Sequence, residues 1–327
     1  MNFLMKLFRT LLITKSRGTS VYPPNVLIEV TNACNLRCRM CFIWGEGVSR
    51  HREIGFVGEK VWKAAIDEMG SWPINATLDL HGAGEPLLHP NFFQIAEYAK
   101  SKGNISVGFL SNATLLDEEK AKAVISSGID WVAFSVDGAQ KEIFEHYRKG
   151  ARFEQVEENI ERLLSLRRNG RPSVTFNMVS HDEADPGLFI NRWKGKVDVL
   201  TLSSKRPPER KEDSPILMTS PCPLLSQQLV VAWNGVAGLC CEDFWGDYVT
   251  GTFPESSLYE IWQGKALMKA RRLHENGNYR KIPLCRQCNA GELHGYEEWT
   301  EERNGSHTLV RKERRAATAV VTNADGG

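Results

Sequence analysis

Between residues 25 and 203 the chain alternates two periodicities. Apolar runs of period two at 25–31, 76–81, 104–110, 130–136, 173–179 and 197–202 read as strands, and stretches with apolar residues three and four apart read as helices near 58–69, 91–102, 117–127, 140–148, 153–169 and 186–194. Six strand–helix units predict an α/β fold with parallel strands, an open partial (β/α)6 TIM-like barrel. The alternation also assigns faces. If Leu78 and Leu80 meet the helices, then Thr77, Asp79 and His81 face inward, as do Glu29 and Thr31, Ser135 and Asp137, and Thr175 and Asn177. A closed barrel fills its interior with branched apolar side chains, and this interior is polar. Leaving such groups buried and unpaired costs roughly 1–3 kcal/mol each, so the pattern predicts a cavity that holds hydrophilic ligands.

Working residues in α/β barrels sit where strands end and the following loops begin. Every chemical motif of this chain falls there. Cys34, Cys38 and Cys41, spaced Cys-x3-Cys-x2-Cys, follow the first strand, and His81-Gly82-Ala83-Gly84-Glu85-Pro86 follows the second. Ser111-Asn112 follows the third, Ser135-Val136-Asp137-Gly138 ends the fourth, and Asn177 lies near the end of the fifth. Three thiolates fall one short of the four ligands that a cubane cluster or a structural zinc takes, and the next cysteine is at 222. The arrangement leaves one iron open to a ligand from outside the protein.

The segment Thr31-Asn32-Ala33-Cys34-Asn35-Leu36-Arg37-Cys38-Arg39-Met40-Cys41 resembles the cluster loop of the radical S-adenosylmethionine (SAM) enzymes, with Met40 where that family usually carries an aromatic residue. The resemblance implies a 4Fe–4S cluster on the three cysteines whose open iron chelates the amino and carboxylate groups of SAM. It further implies reductive cleavage of SAM to a 5′-deoxyadenosyl radical that abstracts hydrogen from carbon, a flavodoxin or ferredoxin-type reductant, and a six-unit partial barrel. Gly82-Ala83-Gly84-Glu85-Pro86 looks like the family's Gly-Gly-Glu-Pro-type loop, whose backbone and acidic side chain hold the SAM amino group. Glycines permit close backbone approach, and a carboxylate pairs with an ammonium. Ser135 and Asp137 resemble the residues near the SAM ribose and carboxylate, and Ser111, Asn112 and Asn177 complete the expected SAM contacts. Arg148 is either a clamp for the SAM carboxylate or a solvated charge at a helix end.

A second cysteine group follows the Pro- and charge-rich linker Lys205–Pro215. Cys222 and Cys240 flank Leu229–Leu239, a strand–turn–strand pattern with Asn234-Gly235 at the turn. Together with Cys285-x2-Cys288 the pattern resembles the SPASM module and its shortened twitch form. His294 and Glu298 stand where full SPASM modules carry further cysteines, so four ligands are expected: Cys222, Cys240, Cys285 and Cys288. Four thiolates complete an auxiliary 4Fe–4S cluster suited to electron transfer, or a structural zinc, and spacing alone does not choose between them. Cys241 exceeds the ligand count. It is either buried filler or a hydrogen-atom donor beside the cluster.

At 327 residues, 42% hydrophobic and 25% charged, with a net charge of +1, the chain has no overall field favouring nucleic acid. Eight cysteines arranged as cluster ligands point to a reducing compartment, the cytoplasm. The expected organisation is a basic amphipathic helix over 1–20, a radical SAM barrel over 21–215, a SPASM/twitch domain over 216–300 and a disordered tail over 301–327. The N-terminal helix, residues 1–18, either packs on the domain or makes weak contact with a membrane surface. The expected reaction is dehydrogenation of a secondary alcohol on a small polar substrate, a sugar or cyclitol, with His81, His181 and Asp79 as candidate bases. Rivals are a radical epimerase of a sugar or peptide, with Cys241 returning hydrogen, and a peptide-maturing enzyme. An electron carrier without catalysis has no need of a polar barrel.

Overall fold

In the computed structural model, residues 20–181, 183–204, 221–286, 288 and 293–315 are described. Six parallel strands appear where the periodicity places them: β1 (Asn25–Ile28), β2 (Ala76–Asp79), β3 (Ile105–Ser111), β4 (Trp131–Ser135), β5 (Ser173–Ser180) and β6 (Val199–Ser204). The intervening helices are α1 (Glu59–Gly70), α2 (Phe92–Lys100), α3 (Glu118–Ser126), α4 (Lys141–Tyr147), α5 (Phe153–Leu166) and α6 (Pro186–Trp193). Local chemistry sets several starts. Asp117 accepts the amide of Lys120 to cap α3, and Asp185 accepts Gly187 and Leu188 ahead of α6, whose first residue is Pro186. The helices cover one face only. Ile28, Leu78, Leu80, Val107, Phe134, Phe176 and Leu200 enter the core at full burial while their sequence neighbours face the other way.

The sheet continues beyond the six units on both sides, with β10 (Leu293–Arg303) and β11 (Ser306–Arg315) beyond β6 and β7 (Gln228–Val231), β8 (Val236–Gly238) and β9 (Gly251–Thr252) beyond β1, in the order β10-β11-β6-β5-β4-β3-β2-β1-β7-β8-β9. The expected hairpin is β7 (Gln228–Val231) and β8 (Val236–Gly238), with Gly235 at φ +86 in the turn, where a side chain would be strained. β7 pairs in parallel with β1, and β9 (Gly251–Thr252) extends the hairpin, so the second cysteine group grows from the barrel's own edge. Four further helices, α7 (Leu224–Gln227), α8 (Leu258–Trp262), α9 (Lys265–Glu275) and α10 (Pro283–Arg286), surround that edge.

The disordered tail expected from residue 301 is corrected over its first part. β10 (Leu293–Arg303) and β11 (Ser306–Arg315) form an antiparallel hairpin, and β11 pairs in parallel with β6. Charge hid it. Glu298, Glu302, Arg303 and Lys312 are exposed, and Glu298 meets Arg311 across the strands at 2.9 Å, so the outward faces read as a solvated tail. Two signals were present: the turn Asn304-Gly305, with φ of +51 and +78, and the alternating buried pair Thr308 and Val310. Residues 316–327, the N-terminal helix and the linker lie outside the described residues. Among the described residues no helix is long and apolar enough to cross a membrane.

Candidate iron–sulfur and substrate site

The cysteine loop is held from three directions. Its start is pinned to residues 53–56, where Thr31 donates to the carbonyl of Gly55 at 2.7 Å and Asn32 exchanges hydrogen bonds with Glu53 and Gly55. Its middle lies along the end of α4, the amides of Arg37 and Arg39 donating to the carbonyls of Lys149 (3.0 Å) and Tyr147 (2.9 Å). That pairing brings Arg148 to the cysteines. Its guanidinium stands 4.0 Å from the sulfur of Cys38 and pairs with Asp137 at 2.5 Å, and the Arg148 side chain is only 13% exposed. The solvated-charge reading of Arg148 is thereby set aside.

The third support is the loop after β2. Gly84 lies so close that a Cβ there would sit 2.2 Å from the carbonyl oxygen of Ala33, and the amide of Glu85 donates to that same oxygen at 2.7 Å. Glu85 itself is 2% exposed. It accepts from the amides of Leu87 (3.1 Å) and Asn112 (2.8 Å) and from the hydroxyl of Ser111 (2.8 Å). Both carboxylate oxygens therefore hold the loops after β2 and β3 together, and with one donor on Oε2 the carboxylate keeps acceptor capacity for a further partner. Asn112 acts likewise, donating to Asn35 of the cysteine loop at 3.0 Å and accepting from Thr114. Asp137 is fully buried, taking the amide of Val179 at 2.7 Å as well as Arg148. Ser135 and Asn177 are register partners on β4 and β5, half-buried on the face without helices. Because the neighbour of Gly84 is backbone, Gly84→Ala must displace the cysteine loop. Overpacking of this kind costs about 1–3 kcal/mol, so SAM cleavage should fall roughly tenfold or more, with iron loss measured beside it. Normal iron and normal cleavage would show that the loop yields without consequence.

Sequence reasoning missed the strut beneath these loops. Glu29, at the end of β1, makes a bidentate pair with Arg52 (2.9 and 2.7 Å) and also accepts the amides of Ala83 (3.2 Å) and Trp233 (3.5 Å). One buried carboxylate thus joins the cysteine loop's strand, the glycine loop and the β7–β8 turn. Nothing in the pattern around Arg52 announced a partner. Glu29 did carry a signal, an acidic residue at an inward position.

The three candidate bases do not converge. His181 lies under the ring of Tyr147, 3.6 Å between centroids, with Nε2 3.1 Å from the carbonyl of Asp137 and Nδ1 3.7 Å from Glu183. It braces the rim between the end of α4 and the start of the loop after β5. Asp79 and His81 share the open face of β2. Asp79 accepts from Asn25 at 2.8 Å and lies 3.5 Å from Gln228, and burial pushes its carboxyl up to about 7. Burial pushes His81 down to about 4, so its ring is neutral near pH 7. Among the described residues eight buried side-chain atoms lack a hydrogen-bond partner, and three of them, Asp79 Oδ1, His81 Nδ1 and Gln228 Oε1, lie together here, with His181 Nδ1 among the others.

In the second cysteine group, Cys288 adds to the upward push that burial gives Cys222, and Cys241 and Cys222 add to that on Cys240. His274 on α9 bridges the group, its Nδ1 3.4 Å from the amide of Cys222 and its Nε2 3.4 Å from the sulfur of Cys285. None of the eight cysteines is in a disulfide. Burial pushes Cys34 and Cys222 each up to about 11 and Cys240 well above its usual value. A metal bound here takes them as thiolates and displaces these protons.

A three-thiol loop on the rim of an open parallel barrel, beside a second thiol group grown from the same sheet, supplies the residue types that iron–sulfur ligation takes, although among the described residues no three His, Cys, Asp or Glu side chains are already gathered around one metal position. The radical SAM superfamily matches residues 28–185 and the SPASM iron–sulfur cluster-binding domain matches residues 222–289, so the chain is a radical SAM enzyme with a C-terminal SPASM domain. That membership brings SAM, a SAM-binding 4Fe–4S cluster and auxiliary iron–sulfur chemistry, and removes zinc as the reading of the second group. A GTP 3′,8-cyclase of Chlorobaculum tepidum is 32% identical over 52% of this chain, which spans 48% of the cyclase. The tungsten-containing aldehyde ferredoxin oxidoreductase cofactor-modifying protein of Pyrococcus furiosus is 28% identical over 84% of this chain and 80% of its own. The S-adenosyl-L-methionine-dependent 2-deoxy-scyllo-inosamine dehydrogenase of Niallia circulans is 23% identical over 80% and 91%. Among solved structures, BtrN in complex with AdoMet and 2-DOIA shares the fold, with a TM-score of 0.59 at 19% identity over 83% of this chain and 94% of its own.

Proposed function

We propose that this enzyme dehydrogenates a secondary alcohol of a sugar or cyclitol. The observation that carries the reading is the set of unpartnered polar atoms on the open face, Asp79 Oδ1, His81 Nδ1 and Gln228 Oε1, with a carboxyl held near pKa 7 among them. An aliphatic substrate would leave all three unsatisfied, at roughly 1–3 kcal/mol each, whereas vicinal hydroxyls offer both donors and acceptors. The near-full-length likeness to a dehydrogenase of an aminocyclitol supports the same substrate class. When bound, SAM and the two clusters supply a radical that removes hydrogen from carbon and an acceptor for the remaining electron. In this reading the chain's own residues supply the rest. Asp79 accepts the hydroxyl proton, Asn25 and Gln228 hold its carboxylate in place, neutral His81 binds an adjacent hydroxyl, and Arg148, steadied by Asp137, faces the SAM carboxylate. Cys34, Cys38 and Cys41 hold the SAM-binding cluster, and Cys222, Cys240, Cys285 and Cys288 the auxiliary one.

The rival, epimerisation, rests on Cys241, which stands next to a cluster ligand and whose charge Cys240 senses. Turnover of a sugar and aminocyclitol panel in deuterated water separates the two. Dehydrogenation gives a ketone lacking two hydrogens, with no deuterium on carbon, and Cys241→Ala changes the rate less than about threefold, as for a half-buried thiol outside the chemistry. An inverted product of unchanged composition carrying solvent deuterium, abolished by Cys241→Ala, would reject the proposal.

A further inference from the structure

His274 belongs to no motif, yet it touches two of the four cysteines assigned to the auxiliary cluster. It is 5% exposed and sits in the last turn of α9, between Cys222 and Cys285. The two contacts fix its tautomer. A backbone amide can only donate, so the Cys222 N–H, 3.4 Å from Nδ1, requires a lone pair on that nitrogen. The ring proton of the neutral imidazole is then on Nε2, which points at the Cys285 sulfur at 3.4 Å, within the range of an N–H···S hydrogen bond.

The helix that carries the ring is itself clamped. Arg271, one turn earlier, is 7% exposed, donates from Nε to the carbonyl of Leu225 at 2.8 Å and from a terminal nitrogen to the carbonyl of Trp262 at 2.7 Å, and lies over the Trp262 ring at 4.0 Å. Leu225 belongs to α7, the turn that directly follows Cys222. α9 is therefore tied to the same short segment that presents Cys222, and the imidazole cannot drift from the Cys222 amide without breaking those bonds. Donors aimed at a cluster sulfur favour the reduced, more negative state, and residues that orient or bond a metal's ligands are a principal means by which proteins set its potential.

We propose that His274 is a positioning residue that donates a hydrogen bond from Nε2 to the Cys285 thiolate and raises the reduction potential of the auxiliary cluster, making it a better electron acceptor. The inference rests on the assignment of Cys222, Cys240, Cys285 and Cys288 as that cluster's ligands.

The test uses the anaerobically reconstituted full chain with SAM bound, so that the SAM-binding cluster can be told apart in electron paramagnetic resonance during a redox titration. In His274→Phe, which keeps a flat ring and removes both nitrogens, the auxiliary cluster should become about tenfold harder to reduce, a shift of ~59 mV to lower potential for one electron, with iron content and the SAM-binding cluster unchanged. His274→Gln, whose amide can both accept from Cys222 and donate to Cys285, should recover most of the shift. An unmoved potential in His274→Phe with full iron, or equal shifts in both variants, would overturn the hydrogen bond. A wild-type chain holding only about four irons would overturn the proposal at the ligand assignment instead. Should His274→Phe fail to fold, wild-type protein carrying nitrogen-15 histidine decides. The auxiliary signal should then show one weakly coupled histidine nitrogen that is lost in His274→Gln, and its absence from wild type rejects the contact.

Discussion

Replacing Cys34, Cys38 and Cys41 together with alanine should leave about four of about eight irons per chain and no 5′-deoxyadenosine. The prediction follows from how the two thiol groups are housed. The first is fixed by the loops after β1, β2 and β3 and by the end of α4, whereas the second depends on the β7–β8 hairpin, α7, α9 and α10. The sheet joins them but no cysteine is shared, so one group can be emptied while the other is kept. Burial pushes the Cys34 thiol up to about 11 and the Cys38 thiol above its usual value, and metal binding takes both as thiolates. Iron analysis with a chromatographic assay for 5′-deoxyadenosine checks both halves. Continued production of 5′-deoxyadenosine would remove the SAM-cleaving assignment of the loop, and loss of all iron would show that the two sites fold as one.

What was legible in the sequence divides along a physical line. Strands and helices buried on one face announced themselves, since a core position must recur every second or every third and fourth residue. Leu78, Leu80, Phe134 and Phe176 lie where that periodicity puts them, at 0% exposure. The cysteine loops were legible because cluster chemistry admits few residue types at few spacings. Partnerships between distant polar residues were not legible. Glu85 and Asp137 were read for their ligand contacts alone, and the structure adds the backbone amides, Ser111 and Arg148 that they also hold. A carboxylate at the end of a barrel strand looks the same in sequence whether it meets a substrate or a neighbouring loop. The β10–β11 hairpin failed for a related reason. An edge hairpin exposes its outward residues, so its alternation is charged against charged, and among the side chains described Thr308 and Val310 mark the buried side.

Asp79→Asn should lower turnover by about 10²–10⁴-fold, as loss of a general base does, while leaving both clusters and SAM binding intact. The pH dependence is the sharper test. Burial pushes Asp79 up to about 7, so wild-type turnover should climb as pH rises through about 7, where the carboxyl ionises and can accept the hydroxyl proton, and then level off. The variant should lose that rise. Stability should move the other way. A carboxyl whose pKa is raised on folding, from 3.8 to about 7, gives its full stability below pH 3.8 and loses it as pH climbs to about 7, at ~1.4 kcal/mol per pH unit. Above pH 7 the folded chain holds an ionised carboxylate among neutral Asn25 and Gln228, at a cost of up to about 4 kcal/mol that asparagine avoids. Asp79→Asn should therefore raise the unfolding midpoint at pH 8 and leave it unchanged at pH 3.5, measured by denaturant titration of protein freed of iron. A less active and more stable variant is what a catalytic carboxyl held in a costly environment produces. A variant both less active and less stable at pH 8 would mean that Asp79 serves only to hold Asn25 and Gln228 together, and the proton acceptor would have to be sought at His81.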